Sequence, residues 1–140
     1  MAQTERLVIP IENAGHKPRH FVFALLDRFT LMAFTSVVEG LRIANRMADK
    51  QIYTWTLVGE GGGTVTSSSG VEFKLDSDLE DLPRDSTILV CGGVEVQKST
   101  TKRLLSWLRK EARRGAPIGG LCTASYVLAK AGLLDGKRAT

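Results

Sequence analysis

Histidine, cysteine, tyrosine and tryptophan are scarce in this chain, with two of each among 140 residues. Two Cys and two His, scattered without ligand spacing, argue against a zinc-type metal site, and no cofactor is expected. Two cysteines are too few for a disulfide scaffold, so they read as free thiols of a cytoplasmic protein. Long apolar runs are missing as well. The longest clean run, Phe21–Leu26, falls far short of the ~20 residues of a membrane-spanning helix. The N-terminal stretch has no apolar signal-peptide core. No Walker sequence is present, and the glycines from Gly59 to Gly63 lack the spacing and the following helix of a dinucleotide fingerprint. The chain shows no internal repeat and no low-complexity segment.

What remains is the composition of one ordinary globular domain, with 43% apolar residues, 24% charged residues and a net charge of +4. Much of the positive charge sits at Lys102, Arg103, Arg109, Lys110, Arg113 and Arg114, opposed mainly by Glu111. These belong to one expected helix and read as its solvated face. Without interleaved aromatics or a helix-turn-helix pattern, they do not read as a nucleic-acid stripe.

Along the chain, residues 1–19 read as a loose arm. His20–Leu26 is a buried strand. Thr30 is an expected N-cap of a helix over Leu31–Met47, whose inward positions are Phe34, Val37, Val38, Leu41 and Met47. A second strand covers Tyr53–Val58, and Thr64–Ser69 with Val71–Phe73 form a short extended excursion. Leu79–Leu82 reads as a helical turn, and Thr87–Val90 as a third strand. A helix capped by Ser99 or Thr100 runs to Arg114 with Leu104, Leu105, Leu108 and Ala112 inward. Ile118 centres a fourth strand, and Thr123–Ala131 is the last helix. Strands alternating with helices predict an α/β fold with a mostly parallel sheet and helices on both faces. Ligands of such sheets bind beyond the C-terminal strand ends, where the loops Asp27–Thr30, Gly92–Gln97 and Gly120–Thr123 are expected to meet.

The most informative residue is Cys122. A short apolar strand runs into Gly120-Leu121-Cys122-Thr123-Ala124 and a helix follows, the pattern of a nucleophile elbow. Small residues at 120 and 124 suit a sharp strand-to-helix turn, and a helix N-terminus favours a thiolate. A working thiol needs a base. His16 and His20 lie before or at the start of the first strand, about 20 Å from the elbow. The acids on the correct edge are Asp27 and Glu95. The N–H groups of Gly92 and Gly93, with those of Cys122 and Thr123, are candidates for an anion nest or oxyanion hole; the alternative is that the glycines only permit close packing. The candidate ligand-binding set is therefore Cys122, Thr123, Gly92, Gly93 and Asp27. If the protein is an enzyme, Cys122 is the candidate nucleophile, with Asp27 or Glu95.

Taken in order, Phe21–Asn45, Tyr53–Val58 with Ser67–Gly70, Ile88–Val94 and Gly115–Thr140 resemble the ThiJ/PfpI-like domain at the N-terminus of GlxA-type AraC/XylS-family transcriptional regulators. The resemblance spans residues 20–140. It implies a flavodoxin-like, class I glutamine-amidotransferase-like three-layer sandwich that senses a small-molecule effector and forms a homodimer. Amino-acid or betaine-like metabolites are the effector class implied by analogy. The resemblance also implies that DNA is bound by a C-terminal helix-turn-helix domain outside these residues, and that this chain is a fragment ending before its own fold is complete. Enzymes of this superfamily carry an acid near the Cys. Here that stretch reads Leu31-Met32-Ala33, and Ala33 can neither hold nor exchange a proton. The expectation is a catalytically inactive sensor domain. The alternatives are a PfpI-type cysteine amidase or hydratase, and a redox sensor through oxidation of Cys122, with Cys91 as a candidate partner.

Overall fold

A computed structural model describes residues 17–139, and residues 1–16 of the expected arm, like Thr140, lie outside it. Strand β1 (Arg19–Leu25) leads into helix α1 (Leu31–Ala48) and strand β2 (Tyr53–Val58). A small excursion follows, β3 (Thr64–Thr66) and β4 (Glu72–Lys74), before strand β5 (Ser86–Cys91). Helices α2 (Val96–Ser99) and α3 (Lys102–Arg113), strand β6 (Ile118–Leu121) and helix α4 (Ala124–Lys130) complete the order. The central sheet runs β2-β1-β5-β6 with every pairing parallel. β3 and β4 form a separate antiparallel pair. The expected three-layer α/β architecture is the one observed.

β1 is buried on both faces because it lies between β2 and β5 with helices on either side. Val22 and Ala24 point into one core cluster with Leu104, Leu108, Val127 and Leu128 of α3 and α4. Phe23 and Leu25 point into the other, with Phe34 and the half-buried Val37, Val38 and Leu41 of α1. The period of two along the strand thus assigns alternate residues to different layers. Under the β1–α1 turn, Phe23, Phe29, Phe34 and Phe73 meet edge to face at centroid distances of 5.1–5.8 Å. Such pairs add about 0.5–1.5 kcal/mol each beyond burial, and here they lock the β3–β4 hairpin beneath the turn that carries Thr30.

Four expectations need correction. Met47 is 57% exposed. The inward stripe of α1 ends instead at Asn45, whose side chain accepts from the N–H groups of Ile52 and Tyr53 and donates to the Tyr53 carbonyl. Leu79–Leu82 is not helical. Its backbone is held by α3: Trp107 Nε1 donates to the Glu80 carbonyl, Glu111 accepts from Leu82 N–H, and Arg114 donates to the Leu82 carbonyl. Those side chains supply the partners a helical turn would have given. The cap of α3 is Thr101, whose hydroxyl accepts from Leu104 N–H at 3.1 Å, and the turn α2 precedes it. Finally, the buried face of α3 is Leu104, Trp107, Leu108 and Glu111, with Leu105 half-buried against the same core; Trp107 and Glu111 were not expected there, and Ala112 is only half-buried. Glu111 does not belong to the solvated face: it is 2% exposed and paired with Arg114 at 2.9 Å.

Candidate functional site

At the C-terminal edge of the sheet the three loops expected to converge do so. Phe29 bridges both Ser67 and Gly93. Thr30 N–H donates to the Gly92 carbonyl at 3.0 Å and Val94 N–H to the Arg28 carbonyl at 3.2 Å. Gly92 N–H donates to the Leu121 carbonyl at 3.3 Å. β5 is thereby tied to the β1 loop on one side and to the elbow on the other. Strand order reverses across β1 and β5, so this edge is the switch point where doubly wound sheets place ligands.

Cys122 sits there in the left-handed region, at φ 56°, and is exposed. A non-glycine residue in that region costs on the order of 1–3 kcal/mol and persists only where its surroundings impose it. Two further non-glycine residues in that region, Arg28 at φ 61° and Glu95 at φ 52°, follow β1 and β5 at the same edge. The requirement for small flanking residues is also visible. A Cβ on Gly120 would lie 3.2 Å from Ala124 and from Leu128 Cδ1. One on Gly92 would lie 2.7 Å from Ala124 N. On Gly93 it would overlap the Arg28 carbonyl oxygen.

The thiol meets a hydroxyl. Cys122 Sγ and Thr30 Oγ1 are 3.3 Å apart, and either can donate. Thr30 occupies the N-cap position of α1 as expected, but its side chain makes no cap hydrogen bond. It faces the elbow instead. Sequence reading missed this pair because a Thr before a helix reads as a cap, although its position after β1 puts it on the same edge as Cys122.

Among the described residues neither candidate acid hydrogen-bonds the thiol. Both carboxylate oxygens of Glu95 are engaged, by Arg28 at 3.1 Å and Lys98 at 3.0 Å. These pairs are solvent-exposed and contribute about 0–1 kcal/mol each. Asp27 lines a separate cavity toward β2. Ala33 supplies nothing. His20 lies at the far end of β1, where it pairs in register with Ser86 while Leu25 pairs with Cys91. Five residues at ~3.3 Å separate it from the edge. Its ring is bonded to Thr54 at 2.7 Å and Thr56 at 3.2 Å, and partial burial pulls its pKa down.

The other expected site residues are placed as follows. Thr123 spends its hydroxyl on the Gly93 carbonyl at 2.8 Å. Gly92 spends its N–H on Leu121, so it is no free donor for an anion nest. Close packing accounts for the glycine at both positions, since a Cβ on either would overlap backbone atoms. Cys91 is an unsuitable redox partner: it is fully buried against the phenylalanine cluster, and burial pushes its thiol up to about 12. Both cysteines are free. Among the described residues no three His, Cys, Asp or Glu side chains form a metal-binding group. No described helix is long and apolar enough to cross a membrane.

Comparison with known proteins places this geometry. The chain is 38% identical over 128 residues to the HTH-type transcriptional regulator GbdR of Pseudomonas aeruginosa, covering 91% of this chain and 34% of that protein. It is 44% identical over 120 residues to the HTH-type transcriptional regulator CdhR of the same species, covering 86% and 35%. The chain thus spans about a third of the length of the curated regulators it matches. A shorter match, 40% over 77 residues, is to the isonitrile hydratase of Pseudomonas putida, covering 54% of this chain and 34% of that enzyme. Among solved structures, an AraC family transcriptional regulator from Pseudomonas putida superposes with a TM-score of 0.73 at 26% identity, covering 86% of this chain and 64% of that one. A DJ-1 superfamily protein from Agrobacterium tumefaciens shares the fold at a TM-score of 0.65. The elbow, the parallel sheet and these relatives agree with the family model for DJ-1/PfpI, which matches residues 20–140, and the chain belongs to the DJ-1/PfpI family.

Proposed function

We propose that this chain is the effector-sensing, dimerising domain of an AraC-type transcriptional regulator, and that its elbow is a structural inheritance without turnover. The observation that carries the reading is the partner of Cys122. Thiol hydrolysis needs a group that accepts and returns a proton. The thiol faces a threonine hydroxyl, with Ala33 where an acid is expected and Glu95 held by two cations. The identities to GbdR and CdhR support the regulatory half of the proposal. DNA contact then falls to a helix-turn-helix domain outside these residues, and the domain works in the cytoplasm as a homodimer.

A thermal-shift screen of amino-acid and betaine-like metabolites tests the sensor reading. A ligand at a hundred times its Kd stabilises by about 2.7 kcal/mol. For a chain of this length that is a rise of about 9 °C, at ~2.1 cal/mol/K of unfolding entropy per residue. The same rise is expected in Cys122→Ser. No shift with any metabolite would sink the proposal.

One observation favours a second reading, a thiol-dependent hydratase: Cys122 is exposed and strained, in a chain with a partial match to an isonitrile hydratase. Isonitrile turnover that disappears in Cys122→Ser would establish it.

A further inference from the structure

Across the sheet from the elbow, a cavity of about 490 Å³ opens between the C-terminal ends of β1 and β2, the β3–β4 hairpin and the α2–α3 junction. Cys122, Thr30 and Gly93 are not among its lining residues. The volume lies in the range that holds small ligands. Its floor is apolar, from Leu25, Val65, Leu75, Leu79 and Leu104, all of them buried. Two of its polar lining residues, Asp27 and Glu60, are carboxylates; the others are Lys98 and four Ser or Thr residues. Asp27 lines the cavity, is exposed, and has no hydrogen-bond or ion-pair partner for its carboxylate among the described residues. Glu60 uses one carboxylate oxygen to accept from Thr101 Oγ1 at 2.7 Å and leaves the other unspent. Lys98 also borders the cavity, but its ammonium is committed to Glu95 at 3.0 Å.

We infer that this cavity is a binding site for a small primary ammonium carried on an apolar body. Two carboxylates beside buried aliphatic side chains attract a cation with a short hydrocarbon tail, and a primary ammonium offers three N–H donors to meet them. A quaternary ammonium is disfavoured. It has no N–H to give, and its recognition relies on aromatic faces, which the lining lacks. A path of backbone and hydrogen bonds links the site to the elbow. Asp27 precedes Arg28, whose N–H donates to the Thr66 carbonyl at 2.8 Å and whose own carbonyl accepts from Val94, while Thr30 touches Cys122. The inference goes beyond the sensor proposal and does not need the elbow to bind anything.

Calorimetric titration of the protein with n-hexylamine, 1-hexanol, hexanoate and tetramethylammonium at neutral pH tests it. Saturable binding of hexylammonium alone is expected, weakened about tenfold in Asp27→Asn and again in Glu60→Gln. The amide introduced by Glu60→Gln keeps a carbonyl oxygen for Thr101, so the fold should survive, and unchanged circular dichroism checks this. Binding should be indifferent to Cys122→Ala. Equal affinity for hexanol, equal affinity for tetramethylammonium, or no hexylammonium binding would overturn the inference. So would loss of binding in Cys122→Ala with Asp27→Asn unaffected; that result places the ligand at the elbow and leaves the sensor proposal standing.

Discussion

Two glycine-to-alanine substitutions of opposite sign test whether the elbow is held as described. In Gly92→Ala the new methyl carbon lies 2.7 Å from Ala124 N, 2.8 Å from Thr123 Oγ1 and 3.1 Å from Ala124 Cα. None of these can yield cheaply. Ala124 is fully buried against the sheet, and the Thr123 hydroxyl is tied to the Gly93 carbonyl. Gly92 is not in the left-handed region, so the penalty is steric. Overpacking of this kind costs about 1–3 kcal/mol. Opening the Gly92–Leu121 hydrogen bond would add about 1 kcal/mol, and the stiffer unfolded chain returns about 0.4–1 kcal/mol. The net loss is about 1–3 kcal/mol. At ~2.1 cal/mol/K per residue, the midpoint should fall by about 3–10 °C. Gly40 is the control. It lies inside α1, is exposed, and has nothing within 4 Å of a built Cβ. Alanine there recovers about 0.5–1 kcal/mol of helix propensity, a rise of about 2–3 °C. Calorimetric melts of the two variants and the parent read both signs. A Gly92→Ala midpoint equal to or above the parent's would refute the contact between β5 and the first turn of α4.

Arg114→Ala strands the Glu111 carboxylate, which is 2% exposed, and removes a donor to the Leu82 carbonyl. Breaking a buried pair costs about 3–5 kcal/mol; with Arg114 itself 40% exposed, solvent reduces this to about 2–3 kcal/mol, and urea unfolding should show it. A loss below about 0.5 kcal/mol, as for a surface pair, would contradict the burial. Asp78 is held down to about 2, first by Arg103 and then by the N–H groups of Leu79 and Gly61. A lowered carboxyl adds stability that is complete above its ordinary 3.8 and lost as pH falls through about 2. The stability gap between the parent and Asp78→Asn should therefore be widest near neutrality and close over that window. A gap independent of pH would remove the Arg103–Asp78 contact from the account.

The sheet was legible because its central strands carry unbroken apolar runs and because glycines follow α3 and α4; Gly115, in the left-handed region at φ 94°, follows α3 as expected. The elbow was legible from Gly120, Cys122 and Ala124, since only small neighbours fit the turn. What sequence could not give are pairings across long separations. Thr30 lies 92 residues from Cys122, and nothing in its local pattern distinguishes a cap from a thiol partner. Glu111 reads as part of a charged helix face until Leu82 and Arg114 are seen around it. Asp27 and Glu95 were both assigned to the right edge, yet one turns toward the β2 side and the other is consumed by Arg28 and Lys98. Helical periodicity placed Leu104 and Leu108 correctly on the inward face of α3 but left out Trp107 and Glu111, because a segment outside the helix, Glu80–Leu82, supplies the partners that bury them.

The most direct test of an elbow without turnover is product formation from a panel of isonitriles, primary amides and 2-oxoaldehydes, followed by mass spectrometry for the protein and for Cys122→Ser in parallel. Equal background rates in the two are expected. Turnover by the parent that Cys122→Ser abolishes would contradict the reading and make Cys122 a working nucleophile.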